Sequence, residues 1–328
     1  MKELNYESEI KVAKKETFLE KLKNFFTFKS LREFNWKQWA RRNLTWKGVG
    51  KFLWTVARTV LLFGLCFLIL YPFVVKLIIS FMSLDDLTDS TVMFIPRNTS
   101  TYFIQKAVYT MSYWKSLGNT ALLSVTVAVL QLMIAAFVGY GFARFKFKGR
   151  NILFFLVILS LIVPAQTTII PLYFTFSNMK LIDTLWPVII ITACGIGLKN
   201  GMYIYLMRQN FRGLPKSLEE SAYIDGAGPL RTFFRVALPN ASNMLITIFL
   251  FSFTWQWTDT TYNKMLMPKI KMLATVLPNV TSTVQNDPEQ AAALLDTAGL
   301  LVVLPLLIVF LFGQRYFVQS IERSGLVE

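Results

Sequence analysis

The sequence predicts an all-α integral membrane protein of about six transmembrane helices, with both termini on the cytoplasmic side. Three observations predict it. Of 328 residues, 54% are hydrophobic and 16% charged, against about a quarter charged in an ordinary soluble domain. Apolar runs fall near 56–82, 119–143, 152–174, 184–206, 241–257 and 293–318, and crossing the hydrocarbon core takes about 20 apolar residues. The segments joining them alternate between basic and acidic, the pattern that sets orientation in a membrane. Core helices of a large soluble protein would be shorter and would show a periodic polar face, and little polar sequence remains to cover such a core.

The arm 1–55 carries thirteen Lys and Arg against six Asp and Glu, so it is expected inside. Over 25–54 it interleaves Phe25, Phe26, Phe28, Trp36, Trp39, Trp46 and Trp54 with Lys29, Arg32, Lys37, Arg41, Arg42 and Lys47, a mixture that suits a helix lying among lipid headgroups. Its apolar residues are interrupted by charge, unlike a signal peptide. Residues 1–20 read as a solvated tail, with a partner-binding role as the alternative. The net charge of +15 follows from retention of basic loops inside and attraction to anionic lipid, and calls for no nucleic-acid partner.

Six apolar runs make 56–318 the membrane domain. The connection after the second run holds Arg144, Lys146, Lys148 and Arg150 without an acid, and a polar segment at 214–239 is flanked or occupied by Arg208, Arg212, Lys216, Arg231 and Arg235. Both are expected in the cytoplasm. The alternating segments hold Asp85, Asp86, Asp89, Asp183, Asp287 and Glu289, with Lys264, Lys269 and Lys271 as a basic exception that Asp259 partly offsets. Lys76 reads as nearly the only charge within a run, close to its end. Segments 83–118 and 261–290 are too long for turns and too short for domains, and are expected to form an outer docking surface. Residues 319–328 form a tail, free or in contact with a partner.

The segment 214–239 reads as a helical hairpin. Ser217 can cap a first helix starting at Leu218, with Glu220 reaching back to complete a capping box. Asp225-Gly226 supplies a turn that tolerates positive φ, and Pro229 suits the start of a second helix that Pro239 ends. Leu230, Phe233, Phe234 and Ala237 share one face of it, Arg231 and Arg235 another. Phe233 and Phe234 are expected as anchors on a partner, the alternative being packing against the hairpin's own spans. A rigid hairpin between two spans can pass a partner's displacement into both.

Absences narrow the chemistry. With no histidine, metal sites and general-base catalysis built on histidine are excluded. Cys66 and Cys194 stand in separate runs. Gly50-Lys51 lacks the earlier glycine of a phosphate-binding loop and is followed by Phe52, where Ser or Thr would hold the metal. The chain is expected to be no enzyme and to bind no cofactor or metal, so energy for active transport must enter through another protein.

Glu220-Ser-Ala-Tyr-Ile-Asp225-Gly226-Ala227, followed by Phe233, Phe234 and Leu238-Pro239, resembles the EAA loop of the membrane subunits of ATP-binding-cassette importers. Val163-Pro-Ala-Gln-Thr-Thr-Ile-Ile-Pro-Leu-Tyr173, Leu181-Ile-Asp-Thr-Leu-Trp186, Gly141-Phe-Ala-Arg-Phe-Lys-Phe-Lys-Gly149 and Gln314-Arg-Tyr-Phe317 extend the likeness to the carbohydrate-uptake, maltose-permease type. It runs over about 56–318. Ser221 replaces a usual alanine beside Ala222, and Thr258 stands where asparagine is frequent. The resemblance implies the type I importer permease fold and a second permease subunit. It also implies two ATPases that carry ATP and magnesium and receive the hairpin in a groove, and an extracytoplasmic solute-binding protein delivering a sugar or oligosaccharide. A different solute, or a secondary transporter or channel without an ATPase, is the alternative.

Polar residues within spans face cavities or other helices. Asn119, Gln131, Gln166, Thr254, Gln256 and Asp259, with Trp255, Trp257 and Tyr262 as rings for stacking, are the candidates for a substrate path. Asn119 and Gln131 have the alternative of bonding between helices, and Trp257 and Tyr262 that of an interfacial aromatic belt. Pro164 and Pro171 bracket Gln166, so freed carbonyls there can line a path.

Overall fold

The structure, a computed structural model, describes residues 46–89, 91–92, 94–284 and 286–325. The headgroup helix expected over 25–54 lies mostly outside these, and the tail over 1–20 wholly so. Among the described residues the chain is helical, with one isolated bridge between Met82 and Thr99. It divides into two units, Met1–Tyr71 and Pro72–Glu328.

The described part of the first unit belongs to helix α1 (Trp46–Ile79), which continues into the second. The expected domain edge at 55/56 therefore falls inside a helix. Phe52, Phe63 and Leu68 are exposed, and together with their neighbours they make a surface that lipid solvates far better than water.

The second unit follows with α2 (Leu84–Thr88), α3 (Tyr102–Thr110) and the long α4 (Tyr113–Arg144). Next come α5 (Arg150–Leu159), α6 (Ala165–Asn178), α7 (Trp186–Ala193) and α8 (Asn200–Gly213). The hairpin comprises α9 (Ser217–Ile224), α10 (Pro229–Thr232), a π-helical turn over Phe233–Ala237 and α11 (Leu238–Asn240). Then follow α12 (Ser242–Thr258), α13 (Thr261–Leu266), α14 (Leu273–Val276) with a 3-10 extension over Leu277–Thr283, and α15 (Pro288–Gly325). The expected tail from 319 continues α15.

Gly50–Ile79, Tyr113–Arg144 and Pro288–Tyr316 are long and apolar enough to cross a membrane alone, and Pro229–Asn240 with Ser242–Thr258, bent by 78°, makes a fourth crossing if counted as one. The third and fourth apolar runs are each two helices instead of one. Extended backbone at Pro164 (ψ 132°) separates α5 from α6. Gly195, at φ +78°, closes α7 while the Gly195 and Ile196 amides bond Thr192 O and Ile191 O, the left-handed cap that glycine favours. Broken helices persist at membrane depth where their freed polar groups are buried or line a cavity.

α4 is the packing centre, against α8, α12 and α7. A Cβ at Gly139 would lie 2.6 Å from the Met207 Cβ, so glycine lets α4 and α8 approach closely, as small residues do between membrane helices. One buried cluster unites Tyr140, Tyr203, Met207, Phe211, Phe233 and Ile248; another unites Phe103, Met111, Phe253, Trp257 and Leu294. Lys76 is not nearly alone among charges in the runs: its Nζ pairs with Asp296 on α15, and Lys199 sits in the break before α8. Of Lys264, Lys269 and Lys271, Lys269 donates its amide to Asp183 Oδ1 at 2.9 Å and sets its Nζ 3.4 Å from Oδ2, so part of that charge is answered across loops.

Candidate functional site

The hairpin is bolted to α4. Arg144 Nε donates to Glu219 Oε1 at 2.7 Å, Arg144 Nη2 to Leu214 O at 2.9 Å, and the Tyr140 hydroxyl to Glu219 Oε2 at 3.4 Å. Both charged side chains are 9% exposed. The geometry satisfies a buried pair with further hydrogen bonds, the condition under which burial of charge is tolerated. Neither Glu219, Arg144 nor Tyr140 was singled out from sequence for this role. By sequence Arg144 is one of the basic residues of the connection after the second run, and Glu219 stands beside the motif glutamate.

The expected capping box does not form. The residue before the helix is Lys216, in helical conformation with no side-chain cap, and its carbonyl takes the Glu219 and Glu220 amides at 3.0 Å each. A side-chain cap needs an extended residue at that position, and Ser217 is already inside α9. Ser221 instead returns its hydroxyl to Ser217 O at 2.8 Å. Glu220 is exposed, free to meet another molecule. The turn is as expected: Gly226 has φ +76°, and the Gly226 and Ala227 amides bond Tyr223 O and Ala222 O, closing α9 after Asp225 with a Schellman motif.

Phe233 and Phe234 part company. Phe233 is 2% exposed and stacks on Phe137 with centroids 4.8 Å apart, beside Tyr140 at 5.0 Å. It anchors the hairpin to α4 within the same chain instead of serving as an exposed anchor for a partner. Phe234 is 52% exposed while its ring still meets Phe137 edge-on at 5.6 Å. Pro239 does not end the helix; the Leu238 amide reaches Phe233 O, the wider turn absorbs the proline, and the bend comes at Ala241. Leu218, Tyr223, Ile224, Leu230 and Phe234 remain exposed, an apolar crest on a rigid base.

A second feature is a cavity of about 800 Å³ walled by the two helix breaks and the end of α12: Ser160–Pro164, Gln166, Thr168, Gly195–Gly201, Trp255 and Thr258–Tyr262. Of the expected path residues, Gln166, Trp255, Asp259 and Tyr262 line it. Thr258, noted as a departure in sequence, lines it too. The others do not. Asn119 Nδ2 donates to Lys271 O at 3.1 Å. Gln131 is buried, donating to Leu198 O at 2.8 Å and accepting from the Ser252 hydroxyl. Gln256 bonds Asn263 Oδ1 at 3.3 Å, Trp257 Nε1 bonds Val302 O at 3.1 Å, and Thr254 turns back to Leu250 O at 2.7 Å. These side chains are taken up by backbone carbonyls and by Ser252 and Asn263, because buried unpaired polar atoms are costly. Burial pushes the Asp259 carboxyl above its ordinary value, against the opposing effect of the amides of Asn263, Tyr262 and Thr261 that it accepts. Lys199 and Asn200 line the cavity and were not foreseen, although a lysine inside an apolar run between Gly197 and Gly201 was a legible signal.

Comparison with known proteins agrees with this architecture. Residues 131–323 match the family of binding-protein-dependent transport system inner membrane components. The arabinooligosaccharides transport system permease protein AraQ of Halalkalibacterium halodurans is 26% identical over 80% of this chain and 92% of that relative. The maltodextrin transport system permease protein MdxG of Bacillus subtilis is 31% identical over 63% of this chain and 73% of that protein. A crystal structure of a bacterial ABC transporter that imports the acidic polysaccharide alginate superposes with a TM-score of 0.69 at 23% identity, covering 82% of this chain and 98% of its counterpart. The chain belongs to the family of binding-protein-dependent transport system inner membrane components, as a permease subunit of an ABC importer.

Proposed function

We propose that this subunit conducts a sugar or oligosaccharide through an ATP-driven importer, taking its motion from ATPases through the hairpin at 214–239. The single observation that carries the reading is that hairpin: a helix fixed to α4 by the Arg144–Glu219 pair, with an exposed apolar crest around Ile224. A base this rigid transmits displacement instead of absorbing it. Ser221, Ala222, Asp225, Gly226 and Ala227 shape the crest, and Glu220 is positioned to meet a cationic group of the partner. The oligosaccharides in the names of the AraQ and MdxG relatives support the cargo class.

In this reading the bundle makes about six crossings, with the two broken helix pairs counted as one each and both termini inside. It pairs with a second permease subunit, a paralogue, and with two ATPases that hold ATP and magnesium. A solute-binding protein docks outside, on the segments 83–118 and 261–290. The chain performs no catalysis of its own. Gln166, Trp255, Asp259 and Tyr262 form part of the cargo path. Uptake by vesicles holding the assembled importer tests the account: it should stop when ATP is depleted with ion gradients maintained. Uptake that survives ATP depletion and falls with the proton gradient would establish a secondary transporter instead.

A further inference from the structure

Lys199 lies within the fourth apolar run, yet it lines the cavity. Its backbone is left-handed at φ +59°, and its Nζ stands 5.2 Å from the Trp255 ring centroid, within cation–π range. Among the described residues it makes no ion pair. The carboxylate that shares the cavity wall, Asp259, is occupied by three backbone amides. Beside it Asn200 is 2% exposed; its Nδ2 donates to Gly195 O at 2.8 Å, and its Oδ1 has no partner among the described residues. Lys199 is exposed to the cavity, and an ionisable side chain within a membrane segment that faces a cavity marks function by default. Here a counter-charge is missing and a polar acceptor is unused.

We propose that Lys199, Trp255 and Asn200 form a charge-selecting subsite that takes a carboxylate of an acidic saccharide, so that the cargo carries uronic acid residues. This rests on the saccharide reading above and adds the charge. The half-exposed Trp255 ring offers a flat apolar face to a sugar ring, Lys199 pairs with its carboxylate, and Asn200, buried in the wall behind them, holds the Gly195 carbonyl of the helix break. One ammonium balances a carboxylate, whereas a phosphate dianion would leave excess charge in a low-dielectric wall.

The test uses the assembled importer with its ATPases and binding protein in proteoliposomes, with labelled trigalacturonate as the acidic probe and galactotriose as the neutral one. The proposal expects uptake of the acidic probe, a loss of roughly thirtyfold in Lys199→Gln, substantial recovery in Lys199→Arg, and assembly with the ATPases that is unchanged in both variants. Exclusive uptake of the neutral probe, indifferent to Lys199→Gln, overturns the charge selection while leaving the saccharide reading intact. An equal loss for both probes overturns it in favour of a structural role for Lys199. No uptake of either probe by particles that still hydrolyse ATP overturns the saccharide reading and this proposal with it.

Discussion

At the residue scale, the Arg144–Glu219 pair is the feature on which the hairpin's rigidity turns. Removing one member of a buried pair strands the other charge, at about 3–5 kcal/mol. Arg144→Met is therefore expected to lower the thermal midpoint of the purified complex markedly, and Arg144→Met with Glu219→Leu to recover much of the loss, a comparison that a double-mutant cycle reads directly. Gly226 makes a second point. Nothing lies within 4 Å of a Cβ built there, so only backbone strain opposes substitution, about 1–2 kcal/mol for a residue forced left-handed. Gly226→Val is expected to abolish uptake with the subunit still inserted, and Gly226→Asn, which tolerates that conformation, to retain much of it. The turn was legible because glycine's freedom is local. The ion pair was not, because its two residues stand 75 positions apart and only the fold joins them.

At the scale of elements, the close crossing of α4 and α8 depends on Gly139. Gly139→Leu should drive Met207 away and cost about 1–3 kcal/mol as overpacking does, seen as reduced subunit assembly in membrane extracts. Hydrophobic run length located the segments that become helices but not their continuity. Composition reports burial in lipid, whereas continuity is decided by backbone groups at Pro164 and Gly195. The same distinction explains the aromatic pair: periodicity puts Phe233 and Phe234 within one broad face, but consecutive residues point about 100° apart, so one packs on α4 and the other stays exposed. It also explains the cavity. Gln131, Gln256 and Trp257 looked like path residues from polarity and ring type, yet each finds a partner on a neighbouring helix or loop that no local pattern reveals.

At the scale of the whole molecule, the likeness to the alginate importer's fold and the family match over 131–323 agree with the membrane class that composition already indicated. Orientation remains the claim on which the mechanism depends, because a hairpin outside the cell meets no ATPase. Ile224, 86% exposed on the crest, is the place to ask. In a variant with Cys66→Ser and Cys194→Ser, a cysteine introduced by Ile224→Cys is expected to resist a membrane-impermeant thiol reagent in intact cells, to react in inverted vesicles, and to crosslink to the ATPase subunit in the assembled, transporting complex. Labelling from the cell exterior, or a transporting complex in which that cysteine reaches no ATPase in any nucleotide state, would contradict the account.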